Sequence, residues 1–341
     1  MSESVTGRYE LGDFKLQSDS VLKDAFIGFR SYGSLNESRD NVIVFPTWYT
    51  GLNNQVEPYI GPGKALDPNK YFIVIPDMFT NGSSTSPSNA QDIHKGLNFP
   101  LVTPFDNVRA QRRLLEENFG ITSVELMVGF SMSGQQAYHW AALHSDLVKR
   151  ACSICGTSKT SPHNWAMLHA YKASMETSQD WPAKSCDDWD PKVLNVFASI
   201  GATMAMSQDW YRDGLHLTEG VAGVSDVIEN IKGLFRPCIP ANIYAQTLTW
   251  MSADVSNNST FNGSMESALR AIEIPFLMLP CETDLYFRVE DNKGELPFIS
   301  NGHLNVIKSR SGHMAGLPGF SSEDDEFITN QLIEFLRAPC R

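Results

Sequence analysis

Apolar and polar positions divide the 341-residue chain into three rhythms. The first is alternation. Residues 9–17 and 22–32 place apolar side chains at roughly every second position around a Ser-Asp-Ser break, which predicts two antiparallel strands at a sheet edge. The second is the continuous apolar run, at residues 41–46 and 71–76, which a strand buried on both faces requires. Residues 80–100 show no period and predict a long irregular loop, the kind that usually carries function. The third rhythm is helical and begins at Thr103. Val108, Leu114, Leu115 and Phe119 share a face, Asp106 lies near the start, and Gly120 is the stop. A buried strand at 124–128, a helix at 135–144 and another strand at 147–154 follow. Strands alternating with helices predict an α/β protein: a mostly parallel central sheet with helices on both faces.

The rhythm then changes. Between residues 161 and 270 the pattern holds helical segments at 165–177, 193–210, 224–235 and 241–251, rich in Met, Trp and Ala, and no buried-strand run. Strand patterning returns at 274–279 and 303–308, and residues 324–336 form a closing helix. The expected organisation is a core made of residues 1–160 and 271–341, interrupted by a helical lid insertion at 161–270. Adaptable packing between helices accounts for most of the Met and Trp residues there, and an apolar pocket under the lid is the sharper alternative.

Composition narrows the partners. Hydrophobic content of 42% with 19% charged residues is that of a globular protein. A net charge of -12 opposes binding to nucleic acid, an anionic membrane surface or a polyanionic substrate, and the partner expected from the chemistry below is a small-molecule acyl compound. No apolar stretch reaches the length of a membrane span, and the polar N-terminus lacks the apolar segment of a secretion signal, so the expected location is cytoplasmic. In that compartment the six cysteines, at 152, 155, 186, 238, 281 and 340, read as reduced thiols. Cys152 and Cys155 have the spacing of a redox or zinc pair, but they continue an apolar run without a second pair, so both read as core residues. Phosphate-cradling glycine loops, dinucleotide fingerprints and metal-ligand spacings are missing from the sequence, and neither cofactor nor metal is expected.

The chemistry is concentrated in Gly129-Phe-Ser-Met-Ser-Gly134, between a strand and a helix. That context predicts a nucleophile elbow, where a sharp turn lifts a serine oxygen clear of the backbone. Small residues are needed two positions before and after the nucleophile. Ser131 has Gly129 and Ser133 there, whereas Ser133 would need Gln135 to be small, so Ser131 is the nucleophile expected. A serine hydroxyl needs a base, and the base needs an acid to hold its tautomer. In elbow architectures the chain order is serine, acid, histidine, each after a strand. Asp284 and His313 satisfy it. Glu282 and Asp291 compete for the acid role, and the other seven histidines read as surface or core-edge residues. The backbone amides of Tyr49 and Met132 are the expected oxyanion hole. Trp48, Phe130, Trp165, Tyr286 and Met314 are the expected pocket residues.

The stretches Ile60-Gly-Pro-Gly-Lys-Ala-Leu66, Asp106-Asn-Val-Arg-Ala-Gln111, Gly129 to Gly134, Thr283-Asp-Leu-Tyr-Phe287 and Gly312-His313 together resemble the homoserine O-acetyltransferase family of α/β-hydrolase-fold proteins, over nearly the whole chain. The resemblance implies the α/β-hydrolase fold with a helical lid, Ser131, Asp284 and His313 as triad, the Tyr49 and Met132 amides as oxyanion hole, and a homodimer joined through lid helices. Among its departures, two bear on the acceptor and the pocket. Members that acetylate homoserine carry an aspartate directly after the catalytic histidine, where it pairs with the substrate's amino group; here that residue is Met314. A charge-assisted hydrogen bond of that kind is worth roughly 1.5–3 kcal/mol. The elbow also carries Phe130 where the family has glycine, which makes the pocket more apolar. The reading is a divergent, esterase-like member: a serine hydrolase of an ester or related acyl compound. The alternatives are an O-acyltransferase serving an alcohol other than homoserine, and a non-catalytic binding protein on this fold.

Overall fold

A computed structural model describes residues 3–179, 181–182, 189–218 and 220–339; Cys186 and Cys340 lie outside them. Eight strands form one sheet: β1 (Ser4–Lys15), β2 (Val21–Tyr32), β3 (Val42–Val44), β4 (Phe72–Pro76), β5 (Leu126–Phe130), β6 (Ala151–Ile154), β7 (Phe276–Leu279) and β8 (Gly302–Leu304). Their order across the sheet is β1-β2-β4-β3-β5-β6-β7-β8. β1 pairs with β2, and β2 with β4, in antiparallel fashion; every later pair is parallel. The edge hairpin expected from alternation is present. It begins earlier than the pattern indicates, because β1 pairs with β2 from Ser4 opposite Tyr32 onward. β3 to β7 are buried throughout, as their unbroken apolar runs require. β8 is shorter than residues 303–308, although an isolated bridge between Cys281 and Ile307 extends its alignment with the β7 side.

Helices flank the sheet. α1 (Pro104–Arg113) starts at Thr103, whose hydroxyl accepts from Asp106 N–H, while the Asp106 carboxylate accepts from Thr103 N–H, a reciprocal cap that closes two of the exposed first-turn donors. The helical pattern past residue 113 continues as a wider π-turn over Leu114–Asn118. α2 (Met132–Leu143) follows the elbow and is buried along almost its entire length. His139, on this helix, therefore lies in the core at 1% exposure rather than at its edge.

Between β6 and β7 run α3 (Pro162–Glu176), α4 (Leu194–Met204), α5 (Gln208–Arg212), α6 (Val224–Phe235), α7 (Pro240–Met251) and α8 (Met265–Arg270). The helical pattern at 193–210 is split, because Ser207 caps α5 by accepting from Trp210 N–H. α3 packs on α7 and α4 on α6. α3, α4 and α7 meet the core through one apolar cluster, in which Met167, Tyr171, Phe197 and Trp250 join Met132, Tyr286 and Phe287, while Ala268 and Leu269 of α8 join the main core beside α2. Large buried side chains contribute about 1.5–3 kcal/mol each, so this layer is held on the carboxyl ends of the strands by many such contacts. After β7 come α9 (Val289–Glu295) and, after β8, α10 (Ser322–Arg337).

The topology decides where the site falls. From β3 the chain moves to β4 on one side, and from β5 onward it moves to the other. Loops leaving β3 and β5 therefore diverge and leave a crevice at the carboxyl ends of adjacent strands, where open α/β sheets bind ligands.

Candidate active site

β5 delivers Ser131 into that crevice with φ 60° and ψ -127°. This is a sparsely populated region for a non-glycine residue and costs about 1–3 kcal/mol. The turn is tight enough that a Cβ on Gly129 would lie 2.3 Å from the Ser133 carbonyl carbon, which is the steric demand the elbow pattern expresses. Ser131 is 2% exposed.

His313 Nε2 lies 2.9 Å from Ser131 Oγ, and His313 Nδ1 lies 2.8 Å from Asp284 Oδ2. A carboxylate only accepts hydrogen bonds, so Nδ1 carries the ring proton and Nε2 is left to accept the serine hydroxyl. Asp284 is fixed in turn, because its Oδ1 accepts from the backbone N–H groups of Tyr286 (2.7 Å) and Phe287 (3.1 Å). The rivals for the acid role stand elsewhere: Glu282 pairs with Lys308 at 2.9 Å on the surface, and Asp291 lies in the first turn of α9. Gly312 turns the histidine loop with φ 68°, and a Cβ there would come within 2.6 Å of Ser207 N. Glycine is needed because the loop backbone lies directly against the turn between α4 and α5.

Aromatic rings enclose the histidine. Phe130 stacks on it with ring centroids 4.7 Å apart, Tyr286 meets it edge-on at 4.8 Å, and Trp48 closes on Phe130 at 5.5 Å. Met314 follows His313 in the same loop, its N–H donating to Ala205 C=O at 3.3 Å. Trp165 is the exception among the expected pocket residues. It is 46% exposed and its ring partner is His169, because the buried face of α3 runs through Asn164, Met167, Leu168, Tyr171 and Met175. Residues not singled out from sequence also reach the site: Trp250 contacts Tyr49 and Tyr286, Phe287 packs on His313, and the Tyr171 hydroxyl lies 2.8 Å from that of Tyr286. Burial pushes the Tyr49 and Tyr286 hydroxyls well above their ordinary range, so both are neutral wall groups rather than bases.

The Tyr49 and Met132 N–H groups make no hydrogen bond to the described residues, and they follow β3 and β5, the two strands whose loops flank the crevice. One set of potential metal ligands stands among the described residues: atoms of Cys155, Asp284 and His313 lie within 4.8 Å of one another. The histidine nitrogens are already engaged by Asp284 and Ser131. Burial, with the Asp284 charge adding to it, raises the Cys155 thiol well above its ordinary range, so it is a neutral thiol and a poor metal ligand. These donors do not fit a metal site.

A mostly parallel sheet with a serine elbow and a buried histidine-carboxylate pair defines the α/β-hydrolase class, and the alpha/beta hydrolase fold family model matches residues 40–320. The chain belongs to that family. It is similar to an ethyl acetate hydrolase of Pseudomonas veronii, 32% identical over 99% of this chain and 98% of that one. It is similar to a homoserine O-acetyltransferase of Nostoc punctiforme, 26% identical over 92% of this chain and 94% of the other. The solved structure of an acetylester hydrolase from Corynebacterium glutamicum, 30% identical, superposes with a TM-score of 0.93 over 98% of this chain and 96% of that one. The chain is thus an esterase-like relative of the homoserine O-acetyltransferases, and it is a serine ester hydrolase.

Proposed function

We propose that this protein hydrolyses small esters, acetyl esters foremost, through an acyl-enzyme on Ser131. The observation that carries the reading is the continuous relay from Ser131 Oγ through the two nitrogens of His313 to Asp284, all buried. In the reaction His313 Nε2 takes the serine proton as Oγ bonds to the ester carbonyl carbon. The Tyr49 and Met132 amides hold the oxygen that becomes anionic. The intermediate collapses, the carbon–oxygen bond to the leaving alcohol breaks, and His313 returns the proton to that alcohol. Water then repeats the sequence on the acyl-serine and releases the acid.

The buried aromatic wall of Trp48, Phe130, Tyr286 and Phe287 supports a short acyl group, as do the activities named for the relatives in Pseudomonas veronii and Corynebacterium glutamicum. Met314 beside His313 supports an acceptor without an amino group. Transfer of the acyl group to an alcohol other than homoserine is the second reading, favoured by the architecture shared with homoserine O-acetyltransferases. We read residues 161–270 as the lid and 1–160 with 271–341 as the core. Exposed apolar side chains on lid helices, Leu234 on α6 at 72% and Val196 on α4 at 56%, support a homodimer through the lid. Cytoplasmic residence fits the four described cysteines, which are all free thiols. No helix among the described residues is long and apolar enough to cross a membrane.

The test is acid release from acetyl, butyryl and octanoyl esters by wild type and Ser131→Ala, with and without added alcohols. Release that is fastest for acetyl, vanishes in the variant and ignores the alcohols supports the hydrolase. Little acid alone but rapid ester formation with one alcohol establishes the transferase instead.

A further inference from the structure

The loop that presents the Tyr49 amide is a four-residue turn under strain. Trp48 C=O accepts from Gly51 N–H at 2.9 Å, and Thr50, at the third position, has φ 62°. That is the backbone of a type II turn, whose third position favours glycine because a side chain is crowded there. Thr50 is β-branched and so fits it worst. The same conflict occurs in the adjacent loop, where Thr80, after β4, has φ 74°.

One side chain holds both. Gln246 stands on α7, on neither loop, and is 1% exposed. Its Oε1 accepts from Thr50 N–H at 2.7 Å, and its Nε2 donates to Thr80 C=O at 3.0 Å. The next residue, Thr247, has its hydroxyl 2.8 Å from that of Tyr49. A type II turn relaxes to type I by flipping its central peptide, which here joins Tyr49 to Thr50 and would return Thr50 to negative φ. The Thr50 N–H that Gln246 holds belongs to that peptide. Release lets that peptide flip, and the Tyr49 N–H, which lies on the preceding peptide, shifts as the backbone on either side of Tyr49 adjusts to the new turn. A donor misdirected by a fraction of an ångström forfeits much of its value to a developing oxyanion.

We infer that Gln246 is a positioning residue for the oxyanion hole, a lid-borne clamp that keeps the Tyr49 loop in its strained, competent turn; the inference rests on Tyr49 N–H being an oxyanion donor in the esterase proposed above. Gln246→Met removes both hydrogen bonds at similar volume. The expected result is a fall in kcat/KM on p-nitrophenyl acetate of about 10- to 100-fold. Inhibition by a trifluoromethyl ketone, which forms an oxyanion on the nucleophile, weakens in step, while inhibition by the matching methyl ketone stays within about twofold. Adding Thr50→Gly, which accepts positive φ without strain, restores most of the loss. A folded Gln246→Met with wild-type kinetics overturns the inference. So does a loss that weakens both ketones equally and is not restored by Thr50→Gly, since that marks a general structural role. Should Gln246→Met fail to fold, the shorter amide of Gln246→Asn replaces it: a loss restored by Thr50→Gly supports the inference, and wild-type kinetics or an unrestored loss overturns it. Ser131→Ala separates the two claims. If it still releases acid, the esterase reading fails; if it is inactive while Gln246→Met is fully active, the clamp alone fails.

Discussion

At the scale of single residues the site is an exercise in fixing orientation. Asp284 takes two backbone N–H groups on one oxygen and His313 on the other, so the carboxylate has no freedom left and the imidazole tautomer is set. Asp284→Asn leaves the packing intact but offers an amide that also stabilises the wrong tautomer. The expected loss is about 10³- to 10⁴-fold in kcat, with the melting temperature within a few degrees of wild type; a loss below tenfold would place the acid elsewhere. That Ser131, Asp284 and His313 come together was legible because each carries a local sign: small neighbours around Ser131, a strand before Asp284, and glycines beside His313. Gln246 carries none. A glutamine in a helical segment looks like any polar position, and its partners, Thr50 and Thr80, lie far from it in the chain. Trp165 shows the opposite failure, since an aromatic residue in a helix expected to cover the site suggests a pocket, yet each residue turns about 100° around the helix, and a single step separates exposed Trp165 from buried Asn164.

At the scale of elements, α2 joins the site to the core and carries an unusual burden. His139 is buried on it with both ring nitrogens unpartnered by protein, and burial pushes its pKa down from 6.5 to about 4, the facing Asp254 opposing that shift and His144 adding to it. A histidine depressed on folding takes up its proton more readily when unfolded. Its contribution to stability is complete above pH 6.5 and is lost as the pH falls towards 4. A shift of that size corresponds to about 3 kcal/mol. Replacing the ring with an apolar one in His139→Phe is expected to flatten the decline in unfolding free energy between pH 7 and 4.5 by a comparable amount, as measured by urea titration. Parallel curves for variant and wild type would show that His139 is hydrated and titrates normally. His144 shares the depression to about 4 and remains in the variant, so part of the slope persists.

At the scale of the whole molecule, the helices between β6 and β7 finish the site rather than merely covering it. The turn between α4 and α5 lies on the histidine loop, α3 brings Tyr171 to Tyr286, and α7 holds the Tyr49 loop. Their outer faces retain exposed apolar side chains, among them Leu234 and Val196. If those faces meet in a homodimer, wild type sediments as a dimer at micromolar concentration and the double variant Val196→Glu, Leu234→Glu sediments as a monomer with its ester hydrolysis at low concentration unchanged. A wild-type monomer at high concentration would remove the lid-to-lid interface.

By itself the sequence determined the elements and the chemistry that depends on neighbours along the chain. Short unbroken apolar runs rich in β-branched residues favour doubly buried strands, Thr103 and Asp106 cap a helix three residues apart, and Gly129 with Ser131 makes the elbow, because these demands are met within a few residues. Tertiary structure decided what depends on approach between distant segments. Parallel strands brought the ends of β3, β5, β7 and β8 to one edge, and packing of the helices between β6 and β7 chose which face of each met that edge. It also let one buried amide on α7 hold two strained threonines, a task that no local pattern specifies.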